Sequence, residues 1–206
     1  MNSQDLKTIA VIGAGAMGQQ IAMNTAINGR KLGYNVILCD SFEKAVEKAS
    51  AWADTYLKGR VEKGRLTAEE ADFVKQHLTI TSDVDGAAAK ADFIIEAIIE
   101  DLKVKRELFQ RISRICKPDA ILSTNSSNIV SSKLADVTEN PSRLLNVHYF
   151  NPALVMKLVE LVKGPHTSDE TIEIAKAFAV NTGKSPIVIQ KEIPKVRMNL
   201  DKKSHF

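Results

Sequence analysis

The sequence predicts an α/β protein built on a doubly wound, mostly parallel sheet. Three observations predict it. Strand-length apolar runs alternate with longer segments of helical period. Two of those runs, Thr8–Ile12 and Phe93–Ile98, are almost uninterrupted by polar residues, as strands covered by helices on both faces must be. A glycine-rich turn, Gly13 to Gly18, stands where the first strand passes into the first helix.

The elements follow in order. Thr8–Ile12 leads into a helix from Met17 to Lys31, and Asn35–Cys39 into a helix from Phe42 to Val61. Thr67-Ala68-Glu69-Glu70 has the form of a capping box, in which a hydroxyl and a carboxylate each satisfy an orphan amide. It opens a helix to about His77 and turns the second crossover into a helical hairpin. Phe93–Ile98 precedes a helix from Leu102 to Ile115, and Ala120–Ser123 precedes a short one. From Arg143 the pattern becomes Leu144–Phe150, an Asn151-Pro152 turn, Met156–Val162, a helix from Ser168 to Asn181, and a last apolar run, Pro186–Ile189. The reading is one domain over residues 1–190 and a short charged tail over 191–206.

Composition narrows the function classes. The 206 residues are 44% hydrophobic, enough for a substantial core. Lys and Arg number 28 against 25 Asp and Glu, so the net charge of +3 argues against a nucleic-acid groove. No run approaches the roughly 20 apolar residues that span a bilayer. Cys39 and Cys116 lack metal-ligand spacing, so no metal is expected and a reducing, cytoplasmic setting is the simpler reading.

The turn Gly13-Ala14-Gly15-Ala16-Met17-Gly18 supplies what a dinucleotide needs. One glycine makes the tight turn, one lets the backbone approach the pyrophosphate, and one lets helix pack on strand. The helix dipole and free amides then hold the phosphates without a lysine. Asp40 ends the second strand, twenty-two residues beyond Gly18, where an acid accepts hydrogen bonds from the adenosine ribose hydroxyls. A carboxylate there repels a 2′-phosphate, so the expected cofactor is NAD. The plainer alternative for Asp40 is a solvated acid that starts the turn at Ser41.

Three further stretches carry chemistry: Glu96-Ala97-Ile98-Ile99-Glu100-Asp101-Leu102-Lys103-Val104-Lys105; Ser123-Thr124-Asn125-Ser126-Ser127; and His148-Tyr149-Phe150-Asn151-Pro152 with Met156-Lys157-Leu158-Val159-Glu160. An imidazole that titrates near neutrality can take the hydroxyl proton of a secondary alcohol while hydride leaves the same carbon. His148 and Glu160 fall on consecutive strand-like segments joined by a Pro-containing turn. That layout can bring the carboxylate to the ring's far nitrogen, fixing the tautomer and stabilising the imidazolium. A lone His beside aromatics would otherwise be structural, and Ser127 competes with Ser126 and Asn125, any of which could merely cap the next turn.

With the glycine turn, these stretches resemble the 3-hydroxyacyl-CoA dehydrogenase family, including its bacterial 3-hydroxybutyryl-CoA members, over about residues 6 to 194. The resemblance implies a Rossmann-type fold and NAD-dependent interconversion of an L-3-hydroxyacyl-CoA, short-chain such as 3-hydroxybutyryl-CoA, with its 3-oxoacyl-CoA. It implies His148 as general base or acid, Glu160 as its orienting group, and Ser127 and Asn151 as holders of the substrate oxygen. It also places Glu100 and Lys105 near the nicotinamide ribose and Asn125 beside the cofactor. The alternative for Lys105 is membership of a charged helix face. For the CoA tail the candidates are Lys58, Arg60, Lys63 and Arg65, of which Lys63 matches best by position.

Two departures from the family stand out. Asn28–Gly33 is about four residues longer than usual, about one helical turn. Relatives also continue past Glu192-Ile193-Pro194 with Gly-Phe and a helical domain, whereas this sequence reads Lys195-Val196-Arg197 and stops at Phe206. The expectation is a domain without its C-terminal helical partner, a reading-frame shift or gene fragment, monomeric where full-length relatives are homodimers, with its activity alone left open. Two other readings remain: a non-catalytic NAD-binding or crystallin-like structural module, and a dehydrogenase of free hydroxy acids of the gulonate type. Retention of His148 with Glu160 speaks against the first, and dependence on CoA would separate the second.

Overall fold

In the computed structural model, which describes residues 5–192, eight strands form one sheet in the order β3-β2-β1-β4-β5-β6-β7-β8. In chain order the elements are β1 (Thr8–Ile12), α1 (Ala16–Gly29), β2 (Asn35–Cys39), α2 (Glu43–Glu62), α3 (Ala68–His77), β3 (Leu78–Thr81), α4 (Val84–Lys90) and β4 (Phe93–Glu96). They continue with α5 (Leu102–Ile115), β5 (Ile121–Thr124), α6 (Ser132–Ala135), β6 (Leu144–Tyr149), β7 (Leu158–Val162), α7 (Asp169–Asn181) and β8 (Ser185–Ile189). Every neighbouring pair is parallel except β6 with β7. The strand order reverses between β1 and β4, which opens a crevice at their carboxyl ends.

The two apolar strands do lie at the centre. Alternation of side chains sends Ile9 and Val11 into the core layer that includes Ile21, Phe93, Ile95 and Phe178. Ala10 and Ile12 go to the other layer, with Ile94, Phe109, Ile112 and Leu122. Both faces of the strand are thus buried, which is why its sequence shows no polar alternation.

The capping box forms as expected: Glu70 N donates to Thr67 Oγ1 and Thr67 N to Glu70 Oε2, both at 3.1 Å. The extra residues after α1 become a 3₁₀ turn, Arg30–Leu32, closed by Gly33 in the left-handed region at φ 68°. The sequence reading missed two elements. Strand β3 is an edge strand whose four residues are half-buried or exposed, and α4 is a seven-residue helix with a glycine in its first turn, capped by Asp83. Neither is long or apolar enough to show a period. The strand from Phe93 also stops at Glu96 rather than Ile98, because the Glu96 carboxylate accepts the Ile98 amide and bends the chain. Strand β7 starts at Leu158 rather than Met156, since the amides of Val155 and Met156 both turn back onto the Pro152 carbonyl.

Cys39 and Cys116 are unpaired, and burial, with help from Asp40 and then Asp83, pushes the Cys39 thiol up to about 12. Among the described residues no helix is long and apolar enough to cross a membrane. Residues 193–206, which include most of the expected tail, lie outside the described part.

Candidate active site

The crevice is floored by the turn after β1. Gly13 adopts φ 110°, and a Cβ there would sit 2.5 Å from the Ala97 carbonyl oxygen of the β4–α5 connection. A Cβ on Gly18 would lie 1.7 Å from Gly13 O, so helix and strand pack only without it. Gly15 differs: its Cβ would meet nothing within 4 Å, and no side chain caps α1 there. The exposed Gly15 and Ala16 and half-buried Met17 therefore present a helix N-terminus to open space, an arrangement that fits a pyrophosphate. Asp40, at the end of β2, accepts hydrogen bonds from Ala14 N at 2.8 Å and Phe42 N at 3.0 Å. The second is the turn-starting bond of the plainer reading. The first ties the acid to the glycine turn itself.

Across the crevice, β6 and β7 pair antiparallel with His148 directly opposite Glu160. His148 Nδ1 and Glu160 Oε2 are 2.8 Å apart, and both side chains are mostly but not fully buried. The ring also packs against Phe150, with centroids 4.8 Å apart. With Nδ1 held by the carboxylate, Nε2 is the nitrogen available to a substrate. Asn151 is exposed at the start of the connecting loop, where its peptide bond to Pro152 is cis.

At the end of β5 the three competing residues separate. Ser126 is buried, and its hydroxyl accepts the amides of Asn128 and Ile129 while donating to Glu100. It is the capping residue. Asn125 Oδ1 accepts the Tyr149 amide at 2.8 Å, tying the end of β5 to β6. Ser127 is exposed. Lys105 is not on a charged helix face: it is buried and paired with Glu96, with Glu100 Oε2 3.5 Å away. Lys63, exposed at the C-terminal end of α2, is not brought to this group. Its helix packs on α1, α3 and β3, the other edge of the sheet.

Residues 8–193 match the family described as 3-hydroxyacyl-CoA dehydrogenase, NAD binding domain. The chain belongs to the 3-hydroxyacyl-CoA dehydrogenase family. It is 38% identical to the 3-hydroxyadipyl-CoA dehydrogenase of Escherichia coli over 89% of this chain and 38% of that one. With the probable 3-hydroxybutyryl-CoA dehydrogenase of Bacillus subtilis it shares 36% identity, over 90% of this chain and 63% of the relative. The crystal structure of the (S)-3-hydroxybutyryl-CoA dehydrogenase from Ralstonia eutropha superposes with a TM-score of 0.85 at 33% identity, covering 92% of this chain and 65% of that one. The chain thus spans less than two thirds of the length of these relatives.

Within this 3-hydroxyacyl-CoA dehydrogenase domain, two supporting residues escaped the sequence reading. Glu96 opens one of the stretches that carry the family resemblance and lies in an expected strand, but it was given no role, though an acid inside an apolar run was a signal that it had a buried partner. Lys184 is buried after α7, donates to the carbonyls of Ala153 and Met156, and lies 5.9 Å from the Tyr149 ring. It clamps the loop that carries Asn151. Burial holds its ammonium below the ordinary lysine range.

Proposed function

We propose that residues 1–190 are the NAD-binding and catalytic domain of an enzyme that interconverts L-3-hydroxyacyl-CoA and 3-oxoacyl-CoA, with short-chain substrates such as 3-hydroxybutyryl-CoA. The pairing of His148 with Glu160 at 2.8 Å carries the reading. His148 Nε2 takes the substrate hydroxyl proton, and Glu160, which accepts the hydrogen bond from Nδ1–H without taking its proton, stabilises the imidazolium that results. NAD supplies the hydride acceptor for the same carbon. Ser127 and Asn151 hold the substrate oxygen. Lys63, with Lys58, Arg60 and Arg65, faces the phosphates of CoA.

Asp40 would hold the adenosine ribose of the cofactor at the strand reversal, and Gly13, Gly15, Ala16, Met17 and Gly18 would hold its pyrophosphate. Glu100, Asn125 and Lys105, on the side of β4, β5 and β6, would hold or support its nicotinamide half. Two unpaired cysteines fit a cytoplasmic setting. The test is oxidation of NADH on addition of acetoacetyl-CoA, measured with this chain and with the chain fused to the remainder of the Bacillus subtilis relative. Turnover that requires the CoA thioester is expected. Equal turnover of free acetoacetate would refute the assignment.

A further inference from the structure

One cluster of buried charge under the β4–β5 side of the crevice has no part in the proton transfer. Glu96 is the last residue of β4 and wholly buried, and Lys105 in the first turn of α5 is 1% exposed. They form an ion pair. Glu96 also accepts the Ile98 amide at 2.8 Å and the Thr124 hydroxyl at 2.7 Å, so its oxygens are fully engaged. Glu100 Oε2 lies 3.5 Å from the same ammonium, but its side chain is 40% exposed, and Ser126 donates to its other oxygen. Two carboxylates and one ammonium give a net charge of −1, and the buried half of the cluster is neutral by itself. Without Glu96, the ion-pair partner left to the ammonium among the described residues is Glu100.

The inference rests on the cofactor orientation proposed above, which puts the nicotinamide beside Glu100. The oxidised ring carries a positive charge that the reduced ring lacks. We propose that Glu96 is a positioning residue that sets the charge beneath the nicotinamide. Because Glu96 and Glu100 share the one ammonium of Lys105, Glu96 leaves the cluster with a net charge of −1, and the site favours NAD⁺ over NADH relative to a neutral one. For a charge ~8 Å away at an effective dielectric constant of ~40, the discrimination is about fivefold.

The test measures dissociation constants for NAD⁺ by calorimetry and for NADH by fluorescence, with Tm alongside, in E96Q, E100Q and the double variant E96Q/K105M. The cluster charge becomes 0, 0 and −1. Both single variants should lower the NAD⁺-to-NADH affinity ratio about fivefold. The double variant should return it to the wild-type value although the ion pair is gone. A pair with only a structural role would move Tm and both affinities together and leave the ratio alone, which overturns the proposal, as does a double variant that keeps the E96Q ratio. If E96Q does not fold, E100Q and the double variant decide by the same criteria. Equal wild-type affinity for NADPH and NADH would instead overturn the orientation on which the inference stands.

Discussion

The two sides of the crevice are built from different materials. On the β1–β2 side the proposed functional surface is backbone: a glycine turn, a helix N-terminus and one carboxylate bonded to the turn. On the β6–β7 side it is side chains, His148 and Glu160, held by strand register. A backbone site tolerates almost no added atoms but needs no particular side-chain chemistry. A side-chain site tolerates neighbours but fails with the loss of one functional group. Substitutions on the two sides should therefore separate binding from turnover.

The largest effect belongs to the side-chain half. His148→Gln should lower turnover by about a hundredfold or more, while the dissociation constant for NADH measured by fluorescence stays the same. Full turnover would make His148 structural and erase the contrast between the two halves. Glu160→Gln leaves the imidazole in place and weakens only the support of its cation, so a loss of about tenfold in kcat is expected. A loss as large as that of His148→Gln would show that the carboxylate does more than orient.

The backbone half is sharpened by two changes. Asp40→Ser should reduce a preference for NADH over NADPH of about tenfold or more, without a change in Tm. Unequal affinities that survive the substitution would take Asp40 out of its assigned place. Gly15→Ala adds a methyl group that touches no protein atom. It should leave the fold intact yet weaken NADH by about tenfold, because it fills the space where the backbone would meet the pyrophosphate. Unchanged binding would place the pyrophosphate elsewhere.

The smallest effect lies outside both halves. Burial holds the His166 imidazole below its ordinary value of 6.5, against the opposing pull of Glu192 and the Leu144 carbonyl. The unfolded chain then binds its proton more readily than the folded one. Stability is complete above pH 6.5 and declines as pH falls from there toward the folded value. Replacement by Phe should remove that part of the decline, a difference in Tm of about 2 °C between pH 7 and pH 5. Parallel Tm curves for the two proteins across that range would count against it.

The same division explains what the sequence made legible. Backbone sites write themselves as spacing, so the glycine turn and its distance to Asp40 could be read directly. The His148–Glu160 pairing was legible through the family resemblance, with two consecutive strand-like segments offering a layout that allows it. Burial could not be read. Lys105 sits among Lys103, Arg106 and Glu107, and only the three-dimensional turn of α5 shows that it is buried while Lys103 and Glu107 face water and Arg106 is half-buried against Asp136. The three candidates Asn125, Ser126 and Ser127 separate only when their partners Tyr149, Glu100 and the Asn128 and Ile129 amides arrive from other parts of the chain. Strand β3 and helix α4 were missed because they are short and lie at or near a sheet edge.

Cross-strand neighbours are held by the ladder itself, so the separation of His148 from Glu160 does not depend on the eight residues, 150–157, that lead from one strand to the other. That loop is anchored separately, by Lys184. Its composition can therefore drift, and with it the shape of the proposed acyl site, while the proposed proton-transfer pair keeps its spacing. The result is a division of labour in which substrate range can evolve without renegotiating the chemistry.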